Sequence, residues 1–338
     1  MTASPRAGET FRDLTGLTRP VPAQQRQVRT AEIGYNLPRQ RHGEPLMKIV
    51  QGDELDWVRG LEHRGGTFHF RNLMEGTPGT IDNFQLSMGR NDNDFVSPRH
   101  RHNFDQIRVQ LDGDLDFARN GKMAAGTVGF FPEGAYYGPQ TTETFSSTIV
   151  LQCGGSSGSG YLSRKEVKGG TDELRKYGTF EGGVYRRNED APGKRNMDGY
   201  EAIWSHVNGR AMQYPKPIHP GPVMMNRESI AWTPVAGMPG VSEQKLGVFT
   251  EHNTGARYLK LEAGASYATA GRGIHVVFGG KGRVGDQPLR PYTTLFLDHD
   301  ETATLIAEET IELLHLGLPD LRALAAQPRD DVPSQAAE

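Results

Sequence analysis

The sequence is poor in cysteine, in long apolar runs and in surplus charge, and each shortage excludes a class of protein. Cys153 is the single cysteine, so no disulfide can form within the chain. The opening residues, MTASPRAGETFRDLTG, lack the apolar core of a signal peptide. No window approaches the ~20 apolar residues that a membrane-spanning helix needs. We therefore predict a cytoplasmic protein that does not cross a membrane.

The charge of the chain is nearly balanced. It has 38 basic and 41 acidic residues, and the basic residues are spread rather than clustered. Capture of a nucleic acid or of an anionic membrane surface needs a concentration of basic charge, which this sequence does not offer. The expected partner is therefore a small-molecule substrate, with no nucleic acid and no membrane.

Glycine, by contrast, is plentiful. The 42 glycines, set against 21 prolines, are scattered at short intervals without a repeat. That distribution suits many short strands joined by tight turns and suits long helices badly. Runs such as IDNFQLSMG, QIRVQL and ARYLKLEA alternate polar and apolar residues, which is the pattern of half-buried strands. We predict an all-β fold.

The chain is divided by the stretch CGGSSGSG at residues 153–160, whose composition favours a flexible connection over packing. Strand-like runs precede this stretch, and a second set begins with YEAIWSHV, with a short helix expected between them around DELRKYG. In chain order we predict an N-terminal arm (1–44), a first β domain with the site (45–152), a bridging region (153–200), a second β domain (201–318) and a C-terminal tail (319–338).

The strongest functional signal is SPRHRHNFDQIRVQLDG, residues 97–113. Residues two apart on a strand point to the same side, so His100 and His102 would project together and could share a divalent ion. Gln106 and Arg108 would lie on the same face. An inward row of polar groups is natural for a ligand pocket and unusual for a packed core. The alternative is a polar strand face exposed to solvent.

Two motifs carry a resemblance to a known family. The spacing His-x-His-x3-Gln-x6-Gly that begins at His100 is similar to the first signature of the cupin superfamily, and GTVGFFPEGAYY, residues 126–137, resembles the second. Gln106 stands where cupins carry glutamate, and Tyr137 stands where they carry histidine. The resemblance covers roughly residues 95–152 and implies a double-stranded β-helix, or jelly-roll, barrel.

The second half of the chain fits the same frame more loosely, in AGRGIHVVFGGKGRV. His275 and Gly282 repeat the spacing of the glutamine and the final glycine, while Thr269 and Gly271 stand at the two histidine positions. The alignment implies a bicupin, with two tandem barrels of which the second is degenerate. Because cupins commonly associate, the resemblance also implies a homodimer or a higher homo-oligomer.

The resemblance further implies a metal cofactor. His100, His102 and Gln106 would be the ligands of a divalent ion, with Fe(II) as the first choice. A group from elsewhere in the barrel, such as His69, could complete the site. On this interpretation the polar face of residues 97–113 is a metal centre.

Two further residues point to a substrate. Arg108 would bind a carboxylate or a phenolate, unless it pairs with an acid of its own barrel, and Tyr137 would donate a hydrogen bond or act as an acid or base. The HRHN block followed by LDG also resembles the ring-cleaving gentisate dioxygenases. The leading hypothesis is thus a metal-dependent oxygenase acting on a small carboxylate-bearing or phenolic substrate. The alternatives are a metal-independent isomerase or lyase using His102, Tyr137 and Arg108, and a non-catalytic bicupin that binds a small molecule.

Overall fold

Short antiparallel strands are the main regular structure of the protein, whose computed structural model describes residues 47–60 and 67–325. In chain order the strands are β1 (Lys48–Gln51), β2 (Val58–Arg59), β3 (Phe68–Glu75), β4 (Phe84–Asn91), β5 (Val96–Ser97), β6 (Asp105–Gly113), β7 (Leu115–Asp116), β8 (Lys122–Met123), β9 (Thr127–Phe131), β10 (Gln140–Thr141), β11 (Ser146–Cys153), β12 (Gly178–Glu181), β13 (Val184–Arg187), β14 (Asn196–Asp198), β15 (Val223–Asn226), β16 (Thr233–Pro234), β17 (Val241–Val248), β18 (Gly255–Leu261), β19 (Ser266–Ala270), β20 (Gly273–Gly279), β21 (Gly282–Val284), β22 (Gln287–Leu289), β23 (Thr293–Leu297), β24 (Thr302–Ala307) and β25 (Ile311–Gly317). The helices are α1 (Arg164–Leu174), α2 (Gly199–Asn208) and α3 (Arg322–Ala325), with short 3-10 turns at Gly52–Glu54, Ala118–Asn120 and Arg227–Ser229.

The strands form two barrels, each made of one seven-stranded sheet and one four-stranded sheet. In the first barrel the strand orders are β15-β9-β6-β11-β4-β3-β2 and β5-β10-β7-β8. In the second they are β1-β23-β20-β25-β18-β17-β16 and β19-β24-β21-β22. The neighbouring strands pair antiparallel, as expected for jelly-roll barrels. The predicted all-β fold with two tandem barrels is confirmed.

Two strands cross between the halves of the chain. β1, at the start of the described residues, pairs with β23 of the second barrel, with Ile49 opposite Leu295. β15, which follows the bridging region, pairs with β9 of the first barrel, with Met225 opposite Val128. Each large sheet therefore takes an edge strand from the other half of the chain.

The main apolar core lies between the two seven-stranded sheets. One continuous cluster contains Leu86 and Ile107 of the first barrel together with Ile274 and Leu314 of the second, all at most 1 % exposed. Aromatic rings also meet across this boundary, as between Phe84 and Phe296, whose centroids are 5.0 Å apart. Burial of these faces away from water stabilises the pair of barrels together.

The bridging region is a folded insertion with a core of its own. α1, the strands β12, β13 and β14, and α2 enclose a cluster that includes Tyr185, Ile203 and Trp204, each fully buried. The expected helix is present, but α1 begins at Arg164 and includes only the first three residues of DELRKYG. Ser163 begins it, since its hydroxyl accepts from Glu166 N while the Glu166 carboxylate accepts from Ser163 N.

The prediction of a strand at YEAIWSHV is wrong, because these residues form most of α2. The Asp198 carboxylate caps the helix by accepting from the backbone N–H groups of Tyr200 and Glu201. Gly209 ends it in the left-handed conformation, with φ of 63°. The capping residues at the two ends decide the structure here, because a short apolar run is compatible with either a strand or a helix.

The Gly/Ser stretch is packed rather than flexible. Cys153, Gly154 and Gly155 are buried. A Cβ on Gly154 would lie 2.7 Å from the backbone oxygen of Ile81, and one on Gly155 would lie 2.6 Å from the carboxyl carbon of Glu133. Glycine is required here because neighbouring backbone and carboxyl groups approach closely.

The remaining expectations about the chain concern its ends and its location. The predicted N-terminal arm and residues 326–338 of the predicted tail lie outside the described residues. Among the helices that are described, none has the length and apolar character needed to cross a bilayer.

Substitution of Gly154 tests the close packing of this stretch. We expect Gly154→Ala to lower the free energy of unfolding by about 1–3 kcal/mol, because the new methyl group meets backbone that cannot move aside easily. Gly169→Ala is the matched control, since Gly169 lies exposed on α1 with nothing near its Cβ position, and alanine there is neutral or slightly stabilising. Urea unfolding of both variants measures the difference, and equal stabilities would contradict the packing described.

Candidate ligand-binding site

A cavity of about 210 Å³ lies inside the first barrel, between the inward faces of β3, β4, β6 and β11 and the folded bridging region. Its aromatic lining consists of Phe68, Phe70, Phe95, Phe104, Tyr161 and Tyr200. Its uncharged polar lining includes Gln85, Ser87, Asn91, Gln106, Gln140, Thr148 and Gln152. A concave space with apolar walls and a few convergent polar groups is typical of a small-molecule site.

Strand β6 supplies one wall of the cavity. Gln106 and Arg108 line the cavity, whereas Ile107 and Val109 belong to the core between the barrels. Gln110 continues the polar face, and its side-chain oxygen accepts from the Thr148 hydroxyl at 3.1 Å. The predicted two-faced strand is confirmed, because alternate residues of β6 serve the cavity and the core.

His100 and His102 both line the cavity, although they precede β6 rather than lying on it. His100 N donates to Tyr137 O at 3.1 Å, and Tyr137 N donates to His100 O at 3.0 Å. This isolated bridge fixes the segment against the second motif. The two imidazole rings lie 4.8 Å apart between centroids, so the predicted convergence of the pair is confirmed.

Gln106 is the centre of a buried hydrogen-bond network. Its side-chain oxygen accepts from Arg108 Nε at 3.1 Å and from Arg108 Nη2 at 2.9 Å. Its nitrogen Nε2 lies 3.1 Å from His102 Nδ1, and the Tyr137 hydroxyl lies 2.9 Å from the same Nδ1. Arg108 Nη1 donates to Gln140 Oε1 at 2.6 Å. The amide groups therefore hold both the guanidinium and the imidazole in fixed orientations.

This network sets the tautomers of the two histidines. A guanidinium only donates, so Gln106 turns its oxygen to Arg108 and its NH₂ group to His102. His102 Nδ1 accepts, which leaves the proton of the neutral ring on Nε2. His100 has the opposite tautomer. Its Nδ1 lies 2.5 Å from the carbonyl oxygen of Pro98, so Nδ1 must carry the proton. His100 thus offers an acceptor at Nε2, and His102 offers a donor.

The donor set does not fit a resident divalent ion. His100 has the tautomer of a metal ligand, but the Nδ1 lone pair of His102 is engaged by Gln106 and Tyr137, and its Nε2 is protonated. The Gln106 oxygen is shared with the permanent positive charge of Arg108. Within residues 47–60 and 67–325, no three His, Cys, Asp or Glu side chains are grouped so that they could hold an ion. The predicted ligands meet, but as members of a hydrogen-bond network.

Three residues are placed differently from the sequence-based expectation. His69 is not a further ligand, because Phe68 and Phe70 line the cavity and the strand alternation turns His69 to the other face. Tyr137 is 1 % exposed and lies behind the lining, where it contacts the network. Arg164 lines the cavity and was not anticipated. Its only sequence signal is Ser-x-x-Glu at residues 163–166, which marks a helix start.

The lining of the cavity carries positive charge. Arg108 and Arg164 contribute guanidinium groups, and the lining among the described residues includes no aspartate or glutamate. Arginine binds carboxylates and related anions through pairs of hydrogen bonds. The cavity therefore favours an anionic ligand.

The second barrel is filled at the equivalent place by two histidines. His275 faces His315 across β20 and β25, with ring centroids 4.6 Å apart, and the Thr269 hydroxyl lies 3.2 Å from His275 Nε2. Burial first, and then His315, lower the pKa of His275 well below its ordinary value. Burial and the nearby Arg257 lower the pKa of His315 to about 3. Both rings are therefore neutral components of the core.

No protein-family model matches the sequence, and a search of curated proteins finds no match. Solved structures do resemble the chain. A candidate dioxygenase from Nostoc punctiforme superposes with a TM-score of 0.52 and 11 % sequence identity, over 89 % of each chain. HEPD from Streptomyces albus, solved with its substrate 2-hydroxyethylphosphonate and Fe(II), gives a TM-score of 0.51 and 13 % identity, over 87 % of this chain and 82 % of that one.

The chain has the two-barrel cupin fold. The superpositions cover 87–89 % of this chain, so the likeness of fold extends over both barrels. At identities of 11 % and 13 % the likeness is one of fold. A shared fold does not determine the reaction, which depends on the residues of the cavity.

A buried pair of acids lies directly behind the network. Asp105, the first residue of β6, accepts from the backbone N–H of Glu133 at 2.8 Å, and the Glu133 carboxylate accepts from the N–H and the hydroxyl of Ser157. Burial, with a further contribution from Glu133, raises the pKa of Asp105 from an ordinary value of 3.8 to about 8. Asp105 is therefore protonated in the folded protein at neutral pH.

This protonation makes stability depend on pH. Between about pH 4 and pH 8 the unfolded chain releases the Asp105 proton while the folded protein keeps it, so stability falls as pH rises, by about 1.4 kcal/mol per pH unit. We expect Asp105→Asn, which keeps the oxygen that accepts from Glu133, to gain stability relative to the wild type as pH rises from 5 to 8. Urea unfolding across that range, with Asp286→Asn on an exposed turn as the control, measures the effect. Parallel curves for the wild type and Asp105→Asn would refute it.

Proposed function

We propose that the first barrel is a metal-independent acid/base site that binds a small organic anion and transfers a proton at a carbon next to its carbonyl or carboxyl group. The reaction class is that of a cupin isomerase or lyase. The observation that carries this proposal is the pair of opposite tautomers, an acceptor at His100 and a donor at His102, beside a guanidinium at Arg108.

Each residue has a distinct part in such a reaction. Arg108, held by Gln106 and Gln140, binds the anionic group of the ligand and orients it. His100 Nε2 takes the proton from carbon as the general base, while Nδ1–H stays on the Pro98 carbonyl. The negative charge that develops on the carbonyl oxygen accepts a hydrogen bond from His102 Nε2–H.

The proton that His100 takes up is given back at the end of the reaction, so the enzyme is regenerated. The proton on His100 goes back to a different carbon in an isomerisation, or to a leaving group in an elimination. Tyr137 is a positioning residue, because its hydroxyl contacts His102 Nδ1 and the Gln106 oxygen without lining the cavity. A neutral imidazole that donates to a developing oxyanion is an established catalytic arrangement.

Binding of an anion is the first test of the proposal. We expect metal-free protein to bind benzoate in a saturable manner, and Arg108→Gln to weaken that binding at least tenfold, because the positive charge beside the ligand is lost. Arg119→Gln, at an exposed turn outside the cavity, should bind like the wild type. Isothermal titration calorimetry measures the three affinities. Equal affinity in Arg108→Gln would show that the anion does not use this cavity.

Proton transfer is tested separately from binding. We expect the protein to speed the exchange of the C3 hydrogens of phenylpyruvate for deuterium, observed by NMR in D₂O. His100→Gln should lower the catalysed rate by about 10²-fold or more, since it removes the base. His69→Gln is the control, because His69 is a histidine of the same barrel that does not line the cavity. Binding without catalysed exchange would favour a non-catalytic binding protein.

A metal-dependent oxygenase is the second candidate. It is favoured by the ligand-type tautomer of His100 and by the Fe(II) bound in HEPD, which has the same fold. From the network we expect protein purified without chelators to contain iron, manganese, nickel, copper and zinc far below one ion per chain, by plasma mass spectrometry. A stoichiometric ion that is lost in both His100→Ala and His102→Ala would instead establish this second candidate.

A further inference from the structure

We infer that Arg164 is a specificity-determining residue that makes the cavity select a small molecule with two carboxylates, one bound by Arg108 and the other by Arg164. The inference rests on the proposed function, since it adds a second anion contact to the same cavity. It concerns the substrate class and not the proton-transfer step.

Arg164 is held in place before any ligand arrives. It is the first residue of α1, and the reciprocal hydrogen bonds between Ser163 and Glu166 fix the start of that helix. The guanidinium carbon lies 3.4 Å from the centre of the Phe70 ring, over its face, which is a cation–π contact. Because Phe70 is on β3, the contact joins the bridging region to the barrel wall. A preorganised side chain loses little conformational entropy when it binds.

The guanidinium of Arg164 has unused hydrogen-bonding capacity. Its Nε is buried and has no hydrogen-bond partner among the described residues. Within the same residues, no carboxylate oxygen lies within the 4.0 Å of an ion pair with it. Burial lowers the pKa of Arg164, and the nearby Tyr161 and Glu75 offset this effect only in part. A desolvated donor of this kind is stabilised by an incoming anion.

The two nearest acids are committed to other groups. The Glu166 carboxylate accepts from Ser163 N at 2.7 Å as part of the helix cap. Glu75 accepts from the backbone N–H of Arg164 and from the Asn72 side chain, and it also attracts the Arg164 guanidinium electrostatically. Neither Glu75 nor Glu166 lines the cavity, so the cavity side of the guanidinium faces no carboxylate of the lining.

Arg108 and Arg164 belong to different walls of the cavity. Arg108, on β6, hydrogen-bonds Gln106 of the same strand, Gln140 on β10 and Tyr137 in the loop between β9 and β10. Arg164 contacts Phe70 on β3. Aromatic side chains, including Phe68, Phe104 and Tyr200, line the same cavity. A ligand that meets both guanidinium groups must carry an anion at each end of an apolar or aromatic spacer.

The affinities of matched ligands test this inference. Benzoate, isophthalate and terephthalate share one ring and differ in the number and position of carboxylates. We expect wild-type protein to bind at least one of the dicarboxylates about tenfold or more tightly than benzoate in calorimetry without added metal. Arg164→Gln should remove this preference and leave benzoate affinity unchanged, and Arg164→Lys should retain part of it because the charge remains. Lys165→Gln, exposed on the same helix, is the matched control.

The outcomes separate this inference from the proposed function. If wild-type protein binds benzoate through Arg108 but shows no preference for either dicarboxylate, the role of Arg164 is refuted while the anion site stands. If Arg164→Gln weakens benzoate and the dicarboxylates equally, Arg164 only supports the fold. The wild-type comparison decides the inference even where a variant does not fold, which circular dichroism and the melting temperature report. If benzoate and both dicarboxylates fail to bind, both proposals fail.

Discussion

The hydrogen bonds from Arg108 to Gln106 determine what the rest of the cavity can do. A glutamine amide can face either way, but a guanidinium accepts nothing, so the Gln106 oxygen must point to Arg108. The NH₂ group is then left for His102, whose Nδ1 has to accept. A glutamate at this position would offer two acceptors and could not donate to His102. The NH₂ group at this position therefore sets the tautomer of His102, and the Tyr137 hydroxyl contacts the same Nδ1 from the second motif.

The architecture keeps this network rigid. Gln106 and Arg108 lie on a strand whose other face, through Ile107, forms part of the core between the barrels. A shift of β6 by one residue would bury the polar side chains in that core and expose the apolar ones to the cavity, so the register is strongly specified. The network itself is buried, where low polarity strengthens hydrogen bonds that are made and penalises those that are not. Stability of the two barrels and order in the cavity are therefore coupled.

The sequence predicts well what depends on local pattern. Alternation along residues 105–113 and the motif spacing were sufficient to predict the barrels, the polar face of β6 and the meeting of His100 with His102. What could not be predicted depends on contacts between distant segments. The Gly/Ser stretch looked flexible because composition does not show that Ile81 and Glu133 press against it. YEAIWSHV has an apolar pattern that suits a strand, and only its caps, Asp198 and Gly209, make it helical.

The site residues also divide into those that a local pattern predicts and those that depend on distant contacts. The spacing of the cupin motifs located Gln106 and Tyr137, but the consequence of each replacement is visible only once Arg108 is seen to orient the amide. Arg164 lies about 60 residues after Arg108, on a helix that is not part of either motif. It reaches the cavity beside Phe70, which it contacts. The pattern of a single strand cannot predict that a side chain from a distant insertion also lines the cavity. Residue type alone suggests His69 as an example of a group that could complete a metal site, whereas strand alternation turns His69 away from the cavity.

The second barrel shows that the fold does not dictate the chemistry. His275 occupies the position equivalent to Gln106, yet it packs against His315, and Gly273 leaves room for the His315 ring because a Cβ there would lie 2.7 Å from Nε2. Two imidazoles held neutral by burial fill space that in the first barrel is part of a cavity. The same strand positions thus support a packed core in one barrel and a polar network in the other. The difference begins at Arg108, whose N–H groups fix the amides of Gln106 and Gln140 and, through Gln106, the ring of His102.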